Sequence, residues 1–162
     1  MSLTPKQIQT AFGQRLVAIP GLPTVFWQNQ GAQLPTKPYV EVQHVPASRA
    51  DRTINGGNVV ATGFFLVTVV TELDIFANSA CDTAADIMAQ FPQGWRSVVA
   101  GAGTLLSNRP AEDVPPFRQD HDWRQPVRVH YLTEKWRKIT SGAPSISRRC
   151  CPRRTTKPDL RP

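Results

Sequence analysis

The chain has 162 residues, of which 40% are hydrophobic and 19% charged, enough apolar material for one compact domain with a buried core. Its net charge of +7 is unevenly placed: residues 1–134 hold ten Lys or Arg against eleven Asp or Glu, whereas residues 135–162 hold nine Lys or Arg against Asp159 alone. The basic balance therefore says nothing about the folded part, and the three cysteines, Cys81, Cys150 and Cys151, give no basis for a disulfide framework or a zinc site.

Met1 to Arg15 is polar and helix-like rather than a secretion signal, so synthesis in the cytosol is expected. Thr4-Pro5-Lys6-Gln7 is a helix start, with Thr4 as cap, Pro5 at the first helical position and Gln7 closing a capping box. Ile8, Phe12 and Leu16 follow at helical spacing and predict a core-facing stripe that ends at Pro20-Gly21-Leu22-Pro23. A short strand over Thr24 to Gln28 carries Phe26 and Trp27. A second strand, Tyr39 to Val45, places Val40, Val42 and His44 on one face and Tyr39, Glu41, Gln43 and Val45 on the other.

Pro46 to Asn58, "PASRADRTINGGN", reads as a polar loop of about a dozen residues, a length usually tied to function or motion. The run that follows, Val59 to Val70, is too short for a membrane: as a helix it reaches ~18 Å, against the ~30 Å of a bilayer core. Its Val, Phe and Thr content predicts a strand of unusual length. Val59, Ala61, Gly63, Phe65, Val67 and Val69 form an unbroken apolar face. The other face mixes Val60, Phe64, Leu66 and Val70 with Thr62, Thr68 and Glu72, too apolar for water and too polar for a deep core.

A second helix is predicted from Ile75 to Phe91, with Ala80, Ala84, Ala85 and Cys81 packing closely on the sheet and Cys81 a small buried hydrophobe. Beyond Gly94 the pattern gives a strand at Gly103 to Ser107, a proline-rich connection, and strands at Phe117 to His121 and Pro126 to Thr133. In the last of these, Val127, Val129 and Tyr131 alternate with Arg128, His130 and Leu132. The order predicts an α+β fold over residues 1–134, a mainly antiparallel β-sheet with two helices packed on one face. Residues 135–162 form a separate basic, Pro- and Arg-rich extension, by composition flexible.

Catalytic groups are sparse. Asp120-His121-Asp122 cannot place three ligands on one side of a strand, Gly101-Ala102-Gly103 lacks the context of a phosphate loop, and His44 reads as a half-buried sheet residue. No enzyme, cofactor or metal is expected. In the extension, Lys135, Trp136, Arg137, Arg148 and Arg149 are the candidate contacts to phosphates and bases.

"IPGLPTVFWQN", "PYVEVQHVPAS", the Gly-Gly turn, "GFFLVTVV", "DIMAQFP" and "DWRQPVRVHYLTE" occur in an order that resembles the phage tail terminator-like family, and more distantly the tail terminators of long-tailed phages. The resemblance covers roughly Thr4 to Glu134. It implies a virion protein of the tail or neck, assembled in the host cytoplasm. There a ring, usually of six copies, caps the tail tube and meets the head connector. The partners implied are further copies of the chain, the tail tube protein and the head-tail connector protein, without a membrane. Arg49, Asp51 and Arg52 in the polar loop, with Phe64 and Leu66 on the second face of the long strand, are the candidate interface. Two other readings stand beside this one: a small nucleic-acid-binding protein acting through its basic tail, with DNA as partner, and a tube or head-completion subunit of related fold.

Overall fold

The computed structural model describes residues 3–28, 33–53, 59–73 and 78–134. Helix α1 (Pro5–Val17) begins as expected: the Thr4 hydroxyl accepts from the Gln7 N–H and the Gln7 side chain accepts from the Thr4 N–H, closing a capping box. Strand β1 (Thr24–Trp27) leads to β2 (Tyr39–Asp51) and β3 (Val59–Glu72), then α2 (Asn78–Gln90). Five more strands follow among the described residues: β4 (Arg96–Val99), β5 (Gly103–Leu106), β6 (Glu112–Asp113), β7 (Phe117–Gln119) and β8 (Asp122–Glu134).

All eight strands belong to one sheet, ordered β1-β2-β3-β8-β5-β4, with β6 and β7 pairing β8 at its side. The α+β class stands, but the sheet is mixed, because β1 lies parallel to β2 while the other pairings are antiparallel. The centre is β3, which pairs β2 from Val59 to Val70 and β8 from Thr62 to Glu72. Its odd-numbered face carries the core, with Phe65 and Val67 at 0% exposure, joined by Val127, Val129 and Tyr131 from β8 and Val40 and Val42 from β2.

Both helices cover that face. Phe12 of α1 stacks on Phe65 at 3.8 Å between ring centres and on Phe91, just after α2, at 4.6 Å. The stripe Ile8, Phe12 and Leu16 is buried as its spacing requires, and so are Ala80, Ala84 and Ile87 of α2. Cys81 corrects the expectation: it is exposed. The buried row of α2 runs through residues 80, 84 and 87, and Cys81 lies one step round the helix from it.

The second correction concerns the loop expected from Pro46 to Asn58, of which residues 54–58 lie outside the described residues. The chain does not leave the sheet at Pro46; β2 continues to Asp51. A proline lacks an N–H for the ladder, and the strand absorbs it at a bulge: Pro46 faces Gly63, Ala47 is the extra residue, and pairing resumes at Ser48 with Thr62. Gly63 makes this possible, since a Cβ there would lie 2.6 Å from both the Val45 carbonyl oxygen and the Tyr131 hydroxyl. Strand β8 likewise starts earlier than expected, at Asp122, and β4 is an additional edge strand.

Candidate phage tail interface

The candidate residues follow from how β2 and β3 outlast their neighbour. The β3–β8 ladder stops at Thr62 and Leu132, where the Thr133 hydroxyl accepts from the Ala61 N–H at 2.8 Å. On its other edge β8 pairs β5 from Leu132 to Glu134. Past Thr62 the three pairs from Arg49–Ala61 to Asp51–Val59 therefore form a two-stranded arm, about 10 Å long at 3.3 Å per residue. Arg49, Asp51 and Arg52 sit on it and are exposed. The Asp51 carboxylate accepts from the N–H and hydroxyl of Thr53, both at 2.9 Å, which fixes the backbone as it leaves the strand.

The bulge also settles which way these residues face. Before it, His44 opposes Phe65 on the helix-covered side; after it, Arg49 opposes Ala61 and Asp51 opposes Val59, again on that side. Phe64 and Leu66 lie on the other side, opposite Val45 and Gln43 on β2 and opposite His130 and Arg128 on β8. Arg49 and Asp51 thus lie on the face opposite Phe64 and Leu66, and Arg52 follows the last paired residue of β2. Lys135, Trp136, Arg137, Arg148 and Arg149 lie outside the described residues.

The outer face divides along its length. At one end it is closed by the chain itself: Val70 is 0% and Thr68 7% exposed, beside buried Tyr39 and the Arg124–Glu41 ion pair at 2.9 Å. Asp122 ties the same region together through Lys37 and Arg124. Val60, too, is already buried. Of the apolar residues expected to serve assembly, Phe64 and Leu66 therefore remain, and Val45 of β2 and Leu132 of β8 lie beside them, all half-buried. The Arg128 guanidinium lies 5.1 Å from the centre of the Phe64 ring, and Glu112 sits within 3.4 Å of His130 and 3.9 Å of Arg128. A hollow of about 250 Å³ runs alongside, lined by Leu66, Gln43, Phe117 and Arg128.

On the helix side, at the root of the arm, lies a second hollow of about 230 Å³. Its floor is His44, stacked on Phe65 at 4.7 Å and hydrogen-bonded through Nε2 to the Tyr131 hydroxyl at 2.7 Å and through Nδ1 to the Gln9 amide at 3.3 Å. These partners suit a neutral ring that accepts at Nδ1 and donates at Nε2. Burial lowers the His44 pKa and raises that of Tyr131, so both groups are held neutral. His44 is thus the half-buried sheet residue expected from its position. Among the described residues no group of three or more His, Cys, Asp or Glu is placed to hold a metal ion. No described helix is long and apolar enough to cross a membrane.

The segment that carries Arg49, Asp51 and Arg52, expected to be a loop, is strand as far as Asp51. The expected interface did not include Arg128, His130 and Glu112, which share the outer face with Phe64. The alternation of Arg128 and His130 with Val127 and Val129 was the available signal; the placement of Glu112 beside them depends on β6, two residues long.

The family model for the phage tail terminator protein matches residues 7–131. No curated protein matches the chain. Among solved structures, one protein that carries no functional name is 26% identical, with a TM-score of 0.67 over 85% of this chain and all of the other. A chain of the native gene transfer agent virion particle shares the fold at 20% identity, with a TM-score of 0.56 over 79% of this chain and 94% of that one. The chain belongs to the phage tail terminator family and is a structural protein of the virion.

Proposed function

We propose that the protein closes into a ring at the end of the tail tube, six copies by family expectation, and joins the tube to the head connector. The observation that carries this reading is the arm. Two strands without a third neighbour are marginal in water, so a projecting hairpin is stabilised by contact with another surface. The half-buried strip of Phe64, Leu66, Val45 and Leu132 on the opposite face supplies a second, different surface. A ring needs such a pair of unlike surfaces, because its contacts are head-to-tail and return to the first copy.

In this reading one ring face copies the stacking contact of the tube and the other does not offer it again, which ends growth. The protein acts by binding, without catalysis or cofactor. The charge distribution favours a separate contact as well: the extension from residue 135, with Lys135, Trp136, Arg137, Arg148 and Arg149, meets DNA near the neck. Truncation after Glu134 separates the roles. Ring formation and tail joining persist in the shortened chain if the domain carries the function, while a salt-dependent DNA affinity is lost. Loss of joining with an intact ring would move the function to the extension.

The test of the main reading is the mass of the purified protein in solution together with the phenotype of Arg49→Glu/Arg52→Glu. The reading predicts a ring for the wild type, and loss of ring assembly or tail joining in the variant. Intact assembly and joining in the variant would remove the arm from the account.

A further inference from the structure

The arm needs a receiving surface, and among the described residues helix α2 has an exposed side that none of them covers. Helix α2 turns Ala80, Ala84 and Ile87 to the core and leaves Cys81, Asp82, Ala85, Asp86 and Ala89 in solvent. Asp82 and Asp86 are four residues apart, so they are neighbours on one side of the helix, and like charges at that spacing disfavour it. No Lys or Arg occurs in α2, and neither carboxylate has an ion-pair partner among the described residues. Between them stand the small side chains Thr83 and Ala85, and Asn78 and Gln90 flank the pair one turn away on either side.

The arm has the complementary character. Arg49 and Arg52 are both exposed, and Asp51 is turned to its own backbone through Thr53. The arm extends past the end of the β3–β8 ladder, whereas α2 packs over β8 and β3 inside the body, against α1 and β6. A second copy is therefore the natural donor of an arm to this helix. Resting on the ring reading, we infer that the arm of each copy lies across the exposed side of α2 in the next, with Arg49 and Arg52 facing Asp82 and Asp86. The arm and the helix are different surfaces, so the contact is head-to-tail and closes on itself. Because the paired charges lie at a surface, the contact weakens as ionic strength rises.

The experiment uses the full-length chain and four forms of it: wild type, R49E/R52E, D82R/D86R, and the variant combining all four changes. Native mass spectrometry reads the oligomer, and far-UV circular dichroism confirms that each form is folded. The expected result is a ring for the wild type, at least a tenfold weaker association for each charge-reversed form, and recovery in the combined form. A ring that persists in either charge-reversed form overturns this contact and leaves the ring reading standing. So does a ring lost in both and not recovered. A wild type that forms no ring, in solution or in particles, removes the ring reading and this contact with it. As a second measurement, Thr53→Cys in a chain with Cys150→Ser and Cys151→Ser gives disulfide-linked ladders through Cys81 of the adjacent copy on mild oxidation. Absence of the ladder while the ring is intact overturns the contact.

Discussion

Phe64 and Phe65 are the same side chain on adjacent residues of one strand, and they do opposite work. Phe65 is fully buried in a stack with Phe12 and His44. Phe64 is half-buried on the other face, with the Arg128 guanidinium over it. Composition and hydropathy are identical at the two positions; the pleat of the sheet separates a residue that makes the fold from one that the fold presents. The same contrast holds between the body, where both helices close over β3 and β8, and the arm, where β2 and β3 continue alone.

Substitutions on the two faces of β3 should act differently. The largest expected effect is at Phe65. Phe65→Ala removes the centre of the aromatic stack and should cost about 3–5 kcal/mol in a denaturant titration, the range for deleting a buried aromatic ring. A cost below about 1 kcal/mol would mean that the helix-covered face is not the core. Gly63→Ala comes next, because its methyl group would press on the Val45 carbonyl and the Tyr131 hydroxyl at the bulge. A loss of about 1–3 kcal/mol is expected, as for an overpacked site, and thermal melting reads it.

On the presenting side, Phe64→Ser with Leu66→Ser should cost the single chain about 1–2 kcal/mol, less than Phe65→Ala alone, since both side chains are only half-buried. Joining of tails to heads, scored by complementation, should nevertheless be lost. A variant that melts early but still joins would reverse the assignment of the two faces.

The smallest effect is a dependence on pH. Burial lowers the His44 pKa below its ordinary value of 6.5, so the unfolded chain takes up this proton at a higher pH than the folded one. The stability contributed by the neutral ring is present above the unfolded value and is lost as pH falls below it. His44→Gln should therefore reduce the drop in melting temperature between pH 7.5 and 5.5. An unchanged drop would show that His44 does not titrate on unfolding in that window.

Much of this was legible in the sequence where a local rule and a periodic pattern agreed. The capping box at Thr4 and Gln7 fixed the start of α1, and alternation along Val59 to Glu72 separated Phe65 from Phe64. What was not legible depended on partners distant in the chain. Pro46 reads as the end of a strand, yet β2 continues because Gly63, far along the sequence, leaves room for a bulge opposite it. That bulge in turn puts Arg49 and Asp51 on the face away from Phe64, a relation no residue pattern carries. Cys81 illustrates a third limit: in a helix rich in alanine, several rows of small residues compete to be the buried one, and only the sheet beneath selects among them.

In the function proposed above, one sheet face and the helices build the domain, while the arm and the outer strip build a terminating ring. The most direct measurement is an image reconstruction of the intact particle in which this chain is located. The account predicts a single ring in the plane where the tail tube meets the head, with the arm of each copy against its neighbour. Copies repeated along the length of the tube, or a neck that lacks the chain, would contradict it.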